Sequence, residues 1–153
     1  IRGLKMIIYI DMDDVLCDYS KEKEAKLKQF PEIKFPQSQQ GFFANLTPIP
    51  DAIESVKYLI ESDEFTPYIL TAPSILNPHC YTEKRIWIEK YFGLDFVDRL
   101  IISSNKGLVK GDLLIDDYSE GRGQESFEGE LIHFGSERFP DWKVVMVYLI
   151  NKT

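Results

Sequence analysis

Ile10-Asp11-Met12-Asp13-Asp14-Val15-Leu16 follows directly on Met6-Ile7-Ile8-Tyr9, and this junction decides the fold. Lys5 to Ile10 reads as an unbroken apolar run without polar alternation, the pattern of a parallel strand covered on both faces. It stops abruptly at acids. In open α/β sheets a ligand sits beyond the carboxyl ends of the strands, so acids at such an end are placed for chemistry. Taken alone, Asp11 to Asp14 could equally turn the chain and cap the next helix.

Outward from that junction, strands and helices alternate. Ser20 to Phe30 reads as a charged, solvent-facing helix, and Pro31 to Thr47 is irregular, with the aromatic pair Phe42-Phe43. Asp51, with Glu54 three residues on, predicts a capped helix to Glu61, because Ile53, Val56, Leu59 and Ile60 recur at helical spacing. Thr66 to Thr71 is a short strand ending in a hydroxyl, punctuated by Pro73 and Pro78. A helix over Tyr81 to Phe92 stops at Gly93. Arg99 to Ser103, Leu113 to Ile115 and Gly129 to Phe134 read as further strands, and Pro140 to Leu149 as a closing helix. The order predicts an α/β fold: a three-layer, Rossmann-like, mainly parallel sheet with right-handed crossovers. A small helical cap is expected after the first strand, at about residues 18–47, within a single domain covering 1–153.

With 153 residues, 44% hydrophobic, the chain is long enough to bury a core. The formal charge of -7 and pI near 4.9 exclude broad electrostatic binding to nucleic acid or anionic membrane. Any phosphate must be captured locally. Cys17 and Cys80 match no metal-ligand spacing and read as reduced thiols. No apolar run approaches the roughly 18 residues needed to span a bilayer, so a cytoplasmic protein is expected. The chain opens on Ile1, which points to Met6 as the native start. The triplet Asn45-Leu46-Thr47 carries no weight without a secretory signal.

The strand ends bring Asp11, Asp13, Thr71, Asp116 and Asp117 to one edge. Such acids repel unless a cation neutralises them, and oxygen-only ligands suit a hard ion such as magnesium. The joint pattern of Asp-x-Asp, a later Thr, a Lys and a closing acid pair resembles the haloacid dehalogenase superfamily of phosphohydrolases. More narrowly, Asp11-Met12-Asp13-Asp14-Val15-Leu16, Leu70-Thr71-Ala72-Pro73, Glu83 to Gly93 and Asp112 to Asp117 look like the 5'(3')-deoxyribonucleotidase family, over roughly residues 6 to 118.

This resemblance implies that Asp11 is the nucleophile that forms an aspartyl-phosphate, and a metal ligand as well. Asp13 would protonate the leaving oxygen, then take a proton from water, and contribute its backbone carbonyl to magnesium. Asp117 would be the other ligand, with Asp116 orienting waters around the ion. A carboxylate and a phosphate charge repel by about 4 kcal/mol at about 4 Å in an effective dielectric near 20, so cations must cancel this. Lys84 matches the lysine that does so, while the Thr71 hydroxyl and nearby backbone N–H groups, Ala72 among them, would hold phosphate oxygens.

Tyr19, Phe42 and Phe43 stand where relatives stack aromatics on a nucleobase, although packing of a small cap onto the core explains Phe42 and Phe43 equally well. At most one of that pair would face a ligand. Asp14 stands where the superfamily often has Gly and reads as a turn residue. Ala72 stands where some relatives have Ser, and Tyr118 where they often have Arg. Lys106 and Lys110 read as solvated charges, Lys106 being a weaker candidate for phosphate contact, and His79 and His133 read as structural.

The expected function is magnesium-dependent hydrolysis of a nucleoside monophosphate. Neither a nucleic acid polymer nor a membrane is expected as partner, and a homodimer is left open. The alternatives are a phosphatase for another small ester, such as a sugar phosphate or polynucleotide end, and a non-catalytic, magnesium-dependent phosphate-binding module.

Overall fold

A computed structural model describes residues 3–153. Its centre is β1 (Met6–Ile10), flanked in a parallel sheet by β2 (Phe65–Thr71) and β4 (Leu113–Asp116), with β3 (Leu100–Ile102) and β5 (Glu130–His133) outside them. The order is β3-β2-β1-β4-β5 and every pairing is parallel. The register sets Ile10 beside Ile69 and Ile115. Asp11, Thr71 and Asp116 therefore emerge together from the carboxyl edge. Chain order reverses direction at β1, between β2 and β4, which is where such sheets open a crevice.

Alternate residues of each strand face opposite sides. Ile8, Ile10, Ile69 and Ile115 join a large core with Val56 and Leu59 of α2 (Ala52–Glu61), Trp87 and Ile88 of α3 (His79–Phe92), and Trp142 and Leu149 of α4 (Trp142–Asn151). Tyr9, Leu70 and Leu114 point the other way, onto Phe127 and Val109. The expected third layer is thus made of irregular crossovers with 3-10 turns at Lys106–Leu108 and Gln124–Ser126 rather than of α-helices. The connections from β3 to β4 and from β4 to β5 carry no α-helix, and their 3-10 turns lie over one another beside the carboxyl edge.

Some boundaries differ from expectation for local reasons. The third strand shortens to Leu100–Ile102 because Leu94–Arg99 forms a 3-10 turn. The third helix starts at His79 instead of Tyr81, because the Asn77 side chain accepts the His79 N–H at 3.0 Å and Pro78 enters where its missing N–H is harmless. Asp51 precedes α2 with φ 66° and makes no side-chain cap bond, so the expected capping box is absent. Between β1 and α2 lie α1 (Tyr19–Gln29), which buries none of its residues, a 3-10 turn at Pro36–Ser38 and a run of turns through Asn45. Among the described residues no helix is long and apolar enough to cross a membrane.

Candidate active site

The loop after β1 is wound on one acceptor. Asp11 stays tied to the sheet, its N–H donating to the Ile115 carbonyl at 2.9 Å. The Met12 carbonyl then accepts the N–H groups of Val15, Leu16 and Cys17 at 3.1, 2.7 and 3.1 Å. Asp14 turns the chain at φ 63°, a left-handed conformation that glycine and acids tolerate best. The Asp14 carboxylate accepts the Ser20 N–H at 2.8 Å and its hydroxyl at 2.5 Å, tethering the first turn of α1.

Asp11 and Asp13 each meet a different lysine. Lys84, wholly buried on α3, donates to Asp13 Oδ2 at 3.0 Å and to Thr71 Oγ1 at 2.7 Å. The Thr71 oxygen accepts from Lys84, and its own proton is directed at the Ala72 carbonyl, 3.5 Å away. Lys106, expected to be a solvated charge, is 2% exposed. It donates to Asp11 Oδ1 at 2.9 Å and to Asp116 Oδ2 at 2.6 Å. The charge balance that the resemblance assigned to Lys84 is therefore divided: Lys84 serves Asp13, and Lys106 serves Asp11.

Burial of Lys106 comes from two loops meeting. Its N–H donates to the Arg122 carbonyl at 2.6 Å, and the Asn105 side chain accepts the Gly107 N–H at 3.0 Å. Gly123, at φ 82°, lies so close to Asn105 that a Cβ there would stand 2.0 Å from Asn105 Oδ1. Only glycine allows that approach. In the sequence, the available signal was Gly121-Arg122-Gly123, too common a turn pattern to locate a lysine 16 residues earlier.

The acids carry the electrostatic mark of a cation site. Burial pushes the Asp11 carboxyl well above the usual carboxylate range; Lys106 pulls it back, while Asp116 and Asp13 push it further up. Asp117 is pushed up to about 6, first by burial, with Asp116 adding to the effect against a hydrogen bond to Asp11. Burial works against the Lys106 charge, but Asp11 and Asp116 outweigh it and leave that ammonium harder to deprotonate than usual. Tyr19, at the rim, is raised to about 12 by burial and by Asp13 and Asp14. Burial also raises the Cys17 thiol well above its ordinary value, so it is inert rather than nucleophilic.

Side-chain oxygens of Asp11, Asp116 and Asp117 come within 4.8 Å of one another. Lys106 takes one oxygen of Asp11 and one of Asp116, and the Tyr118 N–H donates to the other Asp116 oxygen at 2.9 Å. What remains for an ion is the second Asp11 oxygen and Asp117, an all-oxygen set that fits a hard divalent cation. Asp13 turns its carboxylate to Lys84, so any share it has in an ion falls to its backbone carbonyl. His133 Nε2 lies 2.9 Å from the Asp117 carbonyl and braces that backbone from β5.

These groups open into a cleft of about 260 Å³, lined by Asp11, Asp13, Ala72, Lys106, Asp117 and, at its rim, Tyr19 and Phe43. Tyr118, Arg122 and Gln124, not singled out from the sequence as site residues, line it too. Tyr19 stacks on Phe43 with centroids 5.9 Å apart, and the Lys84 ammonium lies 4.9 Å from the Phe43 centroid. Phe42 does not line this cleft. It stands edge-on to both rings and faces a separate hollow of about 310 Å³ beside Phe30 and Ile33. Both phenylalanines are packed into the core, Phe42 7% and Phe43 2% exposed, and of the two only Phe43 also lines this cleft.

The family model described as "5' nucleotidase, deoxy (Pyrimidine), cytosolic type C protein" matches residues 27–139. A Vibrio phage KVP40 protein named "Putative 5'(3')-deoxyribonucleotidase" is 38% identical over 97% of this chain and 86% of its own length. The mitochondrial 5'(3')-deoxyribonucleotidase of Homo sapiens is 38% identical over 80% of this chain and 67% of its own. The cytosolic-type human enzyme is 42% identical over 56% of this chain and 42% of its own. In fold alone, the L-2-haloacid dehalogenase of Xanthobacter autotrophicus aligns with a TM-score of 0.56 at 13% identity, over 98% of this chain and 84% of that one. With its parallel sheet and its motifs at the strand ends, the chain belongs to the 5'(3')-deoxyribonucleotidase family.

Proposed function

We propose that this chain is a magnesium-dependent phosphomonoesterase that dephosphorylates deoxyribonucleoside monophosphates through an aspartyl-phosphate on Asp11. The observation that carries this reading is the separation of the two first-strand acids onto two lysines: Lys106 on Asp11 and Lys84 on Asp13. One carboxylate is thereby oriented for attack and the other for proton transfer, two residues apart on one side of the chain. Segment 18–47 serves as a reduced cap.

Asp11 Oδ attacks phosphorus, the new O–P bond forming as the ester P–O bond breaks. Asp13 gives its proton to the departing nucleoside oxygen. In the second step a water attacks the aspartyl-phosphate, Asp13 takes its proton, and the Asp11 carboxylate and inorganic phosphate are released. Thr71 and the N–H of Ala72 hold phosphate oxygens, and Lys106 keeps Asp11 from being repelled. Asp11, Asp117 and the Asp13 carbonyl would hold magnesium, which would supply charge neutralisation for the phosphoryl group.

The names of the relatives, 5'(3')-deoxyribonucleotidases, support the nucleotide as substrate. The small cleft and the chain's charge of -7 favour a single nucleotide over a polymer. The test is phosphate release, with and without magnesium, from deoxynucleoside monophosphates, sugar phosphates and a 5'-phosphorylated oligonucleotide. Preference for the deoxynucleotides is expected. Equal turnover of sugar phosphates would remove the nucleotide reading, and full activity of Asp11→Asn would overturn the mechanism.

A further inference from the structure

We propose that Glu83 is a specificity-determining positioning residue, whose carboxylate fixes the aromatic wall of the cleft at a set distance from the phosphate-binding end. The role rests on the nucleotide reading above for what lies against that wall. The physical case begins with a buried charge. Glu83 lies on α3, is 5% exposed, and forms no ion pair among the described residues. A buried carboxylate without a cation is costly unless hydrogen bonds replace its water.

Here three backbone donors replace it. Glu83 Oε2 accepts the Gly41 N–H at 2.9 Å, and Oε1 accepts those of Phe43 and Ala44 at 3.1 and 3.3 Å. Gly41, at φ 91°, makes the turn that aims these N–H groups inward. Concavities of successive N–H groups ordinarily receive anionic ligands, but this one receives the protein's own side chain. The bonds are charge-assisted, roughly twice as strong as neutral ones.

The next residue is Lys84. Successive helical side chains diverge by roughly 100°, so Glu83 grips the segment carrying Phe43 while Lys84 grips Asp13 and Thr71. One helical turn thus holds both the wall and the floor of the cleft. Further along α3, Trp87 Nε1 donates to the Leu46 carbonyl at 2.8 Å, and before the helix the Asn77 amide donates to the Gln37 carbonyl at 2.9 Å. The wall is therefore fastened to α3 rather than hinged above it. Phe43 is itself 2% exposed and backs the Tyr19 ring at the rim, so a ligand is selected by whether a ring sits at the fixed separation between the Tyr19–Phe43 pair and the Asp11 end.

The test uses the whole chain with Glu83→Gln and Glu83→Ala, and two readouts. Amide hydrogen exchange at Gly41 and Phe43 should accelerate about tenfold or more in both variants. The KM for a deoxynucleoside monophosphate should rise about tenfold, the scale of one lost stacking contact. Both kcat for that substrate and kcat/KM for the base-free 2-deoxyribose 5-phosphate should stay within about twofold. A merely structural role would depress both substrates alike.

If Glu83→Ala does not fold, Glu83→Gln decides together with Phe43→Ala, which should give the same substrate-selective rise. The double variant should lose little more than either single one. Additive losses, equal losses on both substrates, or unchanged amide exchange would each overturn the role of Glu83. A wild-type protein that turns over sugar phosphate as well as nucleotide would instead overturn the nucleotide reading, and the specificity role with it.

Discussion

The Lys106 ammonium lies 2.9 Å from Asp11 Oδ1, across 95 positions of sequence, and is almost entirely buried. An ion pair removed from water has to be matched on both sides, and removing one partner typically costs about 3–5 kcal/mol because the other charge is stranded. Lys106→Met should therefore destabilise the metal-free protein and lower kcat by about 10²-fold or more. Lys110→Met should do neither. Steady-state rates alongside thermal denaturation would check both, and equal rates in the two variants would count against Lys106 as the partner of the nucleophile.

Asp13 has a proton role in both half-reactions, which makes its loss dependent on the leaving group. Asp13→Asn should lose about 10²–10⁴-fold in nucleotide turnover. With p-nitrophenyl phosphate, whose leaving group needs no proton, it should release a burst of nitrophenolate and then stall as the aspartyl-phosphate. Stopped-flow absorbance would show the burst. Equal losses on both substrates without a burst would reassign the proton transfer.

Asp14 tests backbone against chemistry. At φ 63° a residue with a Cβ is strained by about 1–2 kcal/mol unless a short polar side chain compensates. Asp14→Gly should hold stability better than Asp14→Ala, and both should keep kcat within about tenfold, since Asp14 serves the turn and Ser20. A larger loss of rate in both variants at unchanged melting temperature would give Asp14 a chemical role.

The pH dependence follows from Asp117, raised to about 6 from the ordinary carboxyl value of 3.8, and from Asp11, raised likewise by burial. Between those pH values the folded, metal-free protein keeps protons that the unfolded chain has released. Its stability from these groups is present at low pH and is lost as pH rises through about 6. A cation at the cluster reverses the balance, because it requires the charged acids. Added magnesium should raise the melting temperature little near pH 5 and clearly above pH 7, with proton release on binding measurable by calorimetry in two buffers. An equal rise at both pH values would mean that these acids do not hold the ion.

Much of the fold could be read locally. The apolar run before Asp11 became the central strand, and the carboxyl-edge rule brought Asp11, Asp13, Thr71 and Asp116 together because parallel strands in register must end on one side. Asp14 was legible as a turn residue because acids tolerate the left-handed conformation it adopts.

What the sequence alone determined is therefore the sheet, the order of its elements and the chemical groups at its edge, since hydrophobic periodicity and strand polarity are properties of short segments. Tertiary structure decided which cation serves which acid, which phenylalanine meets the cleft, and what holds that ring in place. Lys106 is a buried partner of Asp11 because Gly123 lets one loop close over another. Phe43 lines the cleft and Phe42 does not because Glu83, forty residues further along, accepts the Phe43 N–H. These are pairings between distant segments, and their energies depend on burial that exists only once the segments have met.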